Sequence, residues 1–419
     1  MAESESRPFD LVVWGATGYT GSLAARWLQE RYGGSDLRWA VAGRNRAKLD
    51  ALIDDLSGKA PHHPRPRALL ADAHDPAGLR ELVRKTRVIL STVGPFSLYG
   101  TPLVEACVAS GTDYCDITGE VLWVRELIDR YQLEAQASGA RIVNCCGFDS
   151  IPSDLGTYVV VQALKDEYGL RSRRVFHMIE HIRGQMSGGT YASMLHAMET
   201  AASDKSIRTR MADPYLLVHG EERGSDRDQR GIRFLPAFES WTIPFIMAIT
   251  NVRVVHRSNS LMDEPYGSPF SYMESMGTGR GAPGFLRALS MMGALASFAG
   301  MASTKVGRRI LRPLLPEPGT GPSEAARRKS SFQSILLAES EASGGGEVKR
   351  MFGRVCMKME PGYEGTARML VESGMCLAGN FAGVRREGGF WTPASAFGRA
   401  LVDRLREVDI HFTTMKSRP

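Results

Sequence analysis

Over the first 150 residues, short apolar runs alternate with segments whose apolar residues recur every three or four positions. Phe9–Trp14, Leu37–Ala42, Ala68–Ala71, Val88–Val93, Tyr114–Ile117 and Arg141–Cys145 are short, apolar and closed by glycine or polar turns, which predicts buried strands. Between them, Thr20–Tyr32, Ala47–Leu56, Ala77–Lys85, Pro102–Ser110 and a segment ending near Tyr131 carry helical spacing. In the first of these, Leu23, Ala24, Trp27 and Leu28 share one face. Strands alternating with helices predict an α/β fold, a Rossmann-type doubly wound parallel sheet.

Beyond about residue 155 the rhythm changes. Arg174–Ile182 suits a strand that sets Val175, His177, Ile179 and His181 on one face. Gly188 and Gly189 precede a helix over Tyr191–Ala202, and residues 220–233 are charged and glycine-bearing, as an exposed loop would be. A Pro/Gly linker at Pro313–Ser323 leads to a strand pair, Ser331–Leu337 and Gly353–Met359, around a turn at residues 343–346. Thr392-Pro393 starts a helix that runs to about Arg406, and Ile410–Thr413 reads as a closing strand.

Composition narrows the class without choosing a function. In 419 residues, 43% hydrophobic and 23% charged is ordinary globular usage, which excludes wholesale disorder. A net charge of +6 spread along the chain gives no ground for a nucleic-acid partner; it permits an anionic cofactor or membrane surface. Six irregularly spaced cysteines suit neither a disulfide framework nor zinc, so no metal is expected. The polar, acidic stretch from Met1 to Asp10 lacks the pattern of a signal peptide, and the expected compartment is the cytoplasm.

The strongest chemical signal is Gly15-Ala16-Thr17-Gly18-Tyr19-Thr20-Gly21, placed after the first strand and opening a helix. Glycines there allow a tight turn and let the backbone approach a pyrophosphate at the helix N-terminus. A glycine-rich turn with no cofactor is the competing reading. The second strand ends in Arg44 and Asn45 rather than a carboxylate, which favours the 2′-phosphate of NADPH over the 2′-hydroxyl of NAD; a solvent-facing helix start would look the same. Asp72 would lie near adenine or cap a helix. Thr92, Val93, Gly94 and Pro95 close the fourth strand, where the nicotinamide half passes.

Polar loops at the strand ends are the expected substrate side of the cleft. They hold Phe96 and Tyr99, then Asp116, Thr118 and Glu120, then Phe148, Asp149 and Ser150; Gly188 and Gly189 are placed with them. Tyr99, Asp149 and Ser150 are catalytic candidates by loop position, although helix capping explains carboxylates here equally well, Asp154 above all. None of the 12 tyrosines has a lysine four residues later, which argues against a short-chain reductase. His177 and His181 lack HExxH order, and neither a GxSxG elbow nor a paired CxxC occurs.

In order along the chain, GATGYTG (15–21), AGR (42–44), VGPF with YG (93–100), GTDYCDITGE (111–120), GFDSIPSD (147–154), SGGT (187–190), PGTGP (318–322) and TPASAF (392–397) resemble the saccharopine-dehydrogenase-like oxidoreductases. The branch is that of the mycobacterial trans-acting enoyl reductases and the animal saccharopine-dehydrogenase-like protein. The resemblance implies a dinucleotide-binding domain from 1–155 completed by 390–419, with an α+β substrate domain, 156–389, inserted between. It also implies NADPH and reduction of an acyl chain in complex-lipid synthesis, in partnership with a polyketide or fatty-acid synthase. Two other readings stand beside it: a saccharopine-type imine-reducing amino-acid dehydrogenase, and a membrane-associated NADPH-binding adaptor without turnover.

Ala288–Thr304 is uncharged and apolar, and Lys305, Arg308, Arg309 and Arg312 follow it. At 17 residues it falls short of a bilayer span. A helix there would lie at the cytoplasmic membrane surface through 288–312, cover an acyl channel, or be buried in the core or a homodimer contact.

Overall fold

The structure is a computed structural model that describes residues 7–184, 188, 191, 195, 198–200, 204–219, 224–262, 265–315, 320–342 and 347–418. Gly189, the turn at 343–346, and parts of the 191–202 helix, the 220–233 loop and the 313–323 linker lie outside the described residues.

Seven parallel strands form the first sheet. They are β1 (Phe9–Trp14), β2 (Trp39–Gly43), β3 (Arg67–Leu70), β4 (Thr86–Ser91), β5 (Asp113–Asp116), β6 (Arg141–Val143) and, from far along the chain, β13 (Gly389–Trp391), in the order β13-β6-β5-β4-β1-β2-β3. This is the doubly wound order with one strand added at the β6 edge. Strand order reverses between β1 and β4, whose C-terminal ends therefore open a crevice. Helix α1 (Tyr19–Tyr32) leaves β1 through the glycine turn and buries Leu23, Ala24 and Leu28. Helices α2 (Arg46–Lys59), α3 (Pro76–Arg84), α4 (Thr101–Ala109) and α5 (Val121–Ser138) complete the expected alternation.

Helix α6 (Ile151–Tyr168) crosses to a second, mixed sheet. Its strands β7 (Ser172–Arg183), β8 (Arg233–Leu235), β9 (Ser240–Pro244), β10 (Ser271–Gly279), β11 (Ser331–Ser340), β12 (Arg350–Met357) and β14 (Ile410–Met415) run β14-β12-β11-β7-β10-β9-β8. Only the β7–β10 pair is parallel among them. The strand pair expected near 331 and 353 is the antiparallel β11–β12 ladder. Gly156 of α6 lets that helix lie on the sheet: a Cβ there would sit 3.0 Å from Val355. One buried cluster runs from Leu11 and Leu90 through Ile151 and Leu155 to Leu336 and Val355, so the two layers share a core.

The division of the chain differs from the expected one at its C-terminal side. Helix α10 (Thr366–Ala378), numbered after α7 (Ala248–Leu261), α8 (Gly281–Ser303) and α9 (Lys305–Leu311), packs on the first sheet rather than the second. Gly374 permits it, since a Cβ would fall 2.3 Å from Leu90. Its Glu372 is buried and accepts from Trp27 and Tyr32 of α1 and from Arg404 of α11 (Pro393–Arg406). Conversely, β14 belongs to the second sheet, where it pairs with β12 and buries Ile410 and Phe412. An apolar helix face carries no label for the sheet that will cover it, which is why the boundary was not legible.

Candidate functional site

A cavity of about 980 Å³ opens along the strand ends of the first sheet and continues beneath α7 and α8. Gly15 enters the turn at φ +82°, and Gly21 packs so closely that a Cβ would lie 2.2 Å from the Gly15 carbonyl. The Thr92 hydroxyl donates to the carbonyls of Trp14 and Gly15, pinning the turn to β4. Helix α1 begins at Gly18 with no side-chain cap and no carboxylate in its first turn. Free N–H groups and the positive end of the helix dipole therefore face the cavity, the arrangement a pyrophosphate requires. Thr17, Gly18, Tyr19 and Thr20 line it; Ala16 is fully buried behind the turn. Tyr19 is also a structural clamp. Its hydroxyl donates to the Pro322 carbonyl and accepts from Arg327, and its ring meets Tyr363 edge-on.

At the adenosine end stand Gly43, Arg44, Asp72 and His74. Arg44 is exposed and has no carboxylate partner among the described residues, whereas Arg46 is paired with Asp50. Asn45 is not a wall residue: it caps α2 by accepting from the Lys48 amide at 3.0 Å. Asp72 lines the cavity while accepting from the His74 amide. Val93 and Gly94 are wall residues; Pro95 is not.

On the substrate side, the carboxylate of Glu120 accepts from the amides of Phe96 and Ser97 and braces that loop against the next. Phe96 and Tyr99 line the cavity, but the Tyr99 ring packs edge-on to His74, on the adenosine side and away from the expected seat of chemistry. Asp116 and Thr118, expected on the substrate side of the cleft, are not wall residues. Asp116 is fully buried behind the wall and accepts from the Thr118 and Cys145 amides, Asn144 and Tyr114. Burial pushes its carboxyl up to about 6 against those donors. Thr118 accepts from the Glu120 amide and is likewise behind the wall. Both organise the β5 and β6 loops rather than meet a substrate.

Ser150 is buried at the start of α6 and does not line the cavity, so its catalytic candidacy falls. Gly188, whose amide donates to the Tyr363 hydroxyl, does not line it either. Phe148 and Asp149 do. Phe148 is fixed by its amide donating to Thr366 and by edge contact with Phe332. Withdrawal from water pushes the Asp149 carboxyl up to about 6. Asp154 accepts from Ser258 at 2.5 Å and from the Ala394 amide at 2.7 Å, so it caps α11 rather than its own helix.

Glu274 of β10 also lines the cavity, and the sequence reading missed it. Its Oε1 accepts from Ser153 and Asn251 and its Oε2 from Tyr272, which also meets His177. Burial nevertheless pushes the carboxyl up to about 7. A lone glutamate at an inward position of an alternating strand, two residues after Tyr272, is the signal that could have found it. The apolar wall from Pro244 to Thr250, and Leu295, Phe298 and Ala299 of α8, carried no chemical signal beyond hydrophobicity.

The profile of the saccharopine dehydrogenase NADP-binding domain matches residues 11–143, the stretch that builds β1 to β6. A trans-acting enoyl reductase of Mycobacterium ulcerans is 35% identical over 421 residues, covering 97% of this chain and 98% of the relative. The chain belongs to the trans-acting enoyl reductase family. A provisionally named trans-acting enoyl reductase of Mycobacterium tuberculosis is 37% identical over 423 residues, 98% of each chain. Among solved structures, apo saccharopine dehydrogenase (L-Glu forming) of Saccharomyces cerevisiae superposes with a TM-score of 0.54 at 11% identity, covering 97% of this chain and all of that one, so the two share a fold. Family membership and the matched domain make this an NADP-dependent oxidoreductase, and the cavity's features fit that cofactor. The uncapped α1 N-terminus suits its pyrophosphate and the exposed Arg44 its 2′-phosphate.

Proposed function

We propose that the protein reduces the carbon–carbon double bond of an enoyl thioester with NADPH, acting in trans on intermediates of a cytoplasmic polyketide or fatty-acid synthase. The observation that carries this reading is the continuity of one cavity, from the glycine turn to an apolar end formed by Leu295, Phe298 and Ala299. The names of the full-length relatives support it.

Bound NADPH would supply the hydride, to the β-carbon of the enoyl group. Phe148, Ile246 and Met247 would hold the acyl chain and exclude water. The α-carbon then needs a proton, and burial raises two carboxyl groups among the cavity residues: Glu274 to about 7, so that about half of it is protonated at neutral pH, and Asp149 to about 6, where only a minor fraction is. An imine-forming amino-acid substrate would instead need cations to clamp its carboxylates. The arginines lining the cavity are Arg44, at the adenosine end, and Arg210.

The test is NADPH oxidation against enoyl thioesters of increasing chain length, with a 2-oxo acid plus lysine semialdehyde as the rival pair. Each buried methylene contributes about 0.8 kcal/mol, so apparent affinity should rise roughly fourfold per carbon until the cavity is filled. Replacing the proton donor, by Asp149→Asn or Glu274→Gln, should cost about 10²- to 10⁴-fold in kcat while leaving NADPH binding intact. Turnover confined to the imine-forming pair overturns the acyl reading.

A further inference from the structure

Helix α8 is 23 residues long, yet only Gly284, Ala288 and Ala302 are buried. Its most apolar window has a mean hydropathy of 1.4. Phe285, Leu286, Leu289 and Met291 point to solvent, and Val306 and Ile310 of α9 extend the same exposed surface. Exposed apolar side chains clustered on one helix mark an interaction surface, whereas singly scattered ones do not. Along this stretch of chain the charge is of one sign: from Ser275 to Pro316 there is no aspartate or glutamate, against Arg280, Arg287, Lys305, Arg308, Arg309 and Arg312. Arg280 and Arg308 are neutralised by Glu239 and Glu199, while Lys305 and Arg309 are exposed.

We propose that α8 and α9 form a docking surface that seats the protein on an anionic lipid membrane, with α8 lying in the plane of the headgroups. The helix is long enough to cross a bilayer, but its attachments forbid that. Gly284 at its start is pressed against Gly279 of β10, and Leu295, Phe298 and Ala299 on its inner face line the cavity. A helix tied at its start to β9 and β10 and followed directly by α9, with its inner face over the cavity, lies on a membrane rather than across it, apolar side chains inserted and cations among the phosphates. The same helix is thus lipid contact on one side and cavity wall on the other, so an acyl chain would pass from the membrane beneath α8 into the site. That last step rests on the enoyl reading; the docking itself does not.

The test is flotation of the full-length protein with vesicles of phosphatidylcholine alone or with 30% phosphatidylglycerol. Binding is expected to the anionic vesicles and to weaken at least tenfold in the double variant Leu286→Glu, Leu289→Glu. Lys305→Glu with Arg309→Glu should abolish the preference for anionic lipid. Neither pair touches the cavity, so NADPH affinity and turnover of a short, water-soluble enoyl thioester should stay at wild-type levels, while turnover of a long-chain thioester delivered in vesicles falls. Absence of vesicle binding, or binding indifferent to Leu286→Glu, Leu289→Glu, overturns the proposal. A dimer dispersed by those substitutions, without vesicle binding, would assign the face to a second copy instead. A protein that floats but reduces no enoyl thioester would refute the enoyl reading and leave the docking surface standing.

Discussion

Glu274 and His177 stand 3.9 Å apart on the paired strands β10 and β7, and they are not an ion pair. Both are fully enclosed. Burial holds the imidazole neutral, pushed down to about 3, and pushes the carboxyl up to about 7. Tyr272 bridges them, 3.0 Å from His177 Nδ1 and donating to Glu274 Oε2 at 2.9 Å. The cavity wall therefore carries a carboxyl that titrates around neutrality and whose anion finds three donors, Ser153, Asn251 and Tyr272.

This pair makes stability depend on pH in a defined direction. A carboxyl whose folded pKa is raised stabilises the fold below its ordinary range and loses that contribution as pH rises through about 7. His177, lowered on folding, acts oppositely, but its contribution is half complete at its unfolded value near 6.5 and levels off within about one unit above it. Between pH 6.5 and 8 Asp154, at about 7, acts in the same sense as Glu274. Thermal unfolding at pH 6.5 and 8 should show wild type losing more Tm than Glu274→Gln over that interval. Parallel losses would mean that Glu274 is ionised throughout.

Gly18 and Gly21 of the turn should not respond alike to substitution. A Cβ at Gly18 meets only the Gly15 carbonyl, at 3.3 Å, and its backbone is extended. Gly18→Val should fold and lose NADPH, because the branched side chain occupies the pyrophosphate's space. At Gly21 the clash is 2.2 Å with backbone, so Gly21→Val should lower soluble yield and Tm before cofactor is added. Circular dichroism and NADPH fluorescence titration separate the two outcomes; a folded Gly18→Val with wild-type affinity would remove the turn from the cofactor site.

Arg44 should decide between the two nicotinamide cofactors. One charge-assisted contact to the 2′-phosphate is worth about 1.5–3 kcal/mol, or roughly 10- to 150-fold in Kd. Arg44→Ala should lose that factor for NADPH and change NADH affinity little. Equal affinities in the wild type, or an unchanged ratio in the variant, would locate the selectivity elsewhere.

What was legible in the sequence was whatever repeats with a period or needs a particular residue type. Most strands of the cofactor half and the glycine turn were readable because burial on both faces demands continuous apolar runs and a tight turn demands glycine; β3, expected buried, is instead a largely exposed edge strand. Loop position alone could not rank the polar residues at the strand ends. Asp116 and Asp149 sit in equivalent loops, yet the first turns inward to backbone amides and the second faces the cavity. For Glu274 the sequence carries only its inward position in an alternating strand, which does not say what that strand faces. It lies mid-strand in the second sheet, and only the parallel pairing of β10 with β7 brings it to the cofactor's side.

The placement of β13 and β14 also sets a schedule for synthesis. β6 emerges by Val143, but its neighbour β13 follows only after residues 144–388, on the order of 10–50 s later at about 5–20 residues per second. Throughout that wait the cofactor sheet ends in a strand with one side unpaired, and β12 likewise lacks β14 until the last residues are made. An open edge invites other chains to add to it. That β6 is three residues long, and that Arg141 within it is tied to Asp113 of β5, leaves the nascent chain little edge to offer while it waits.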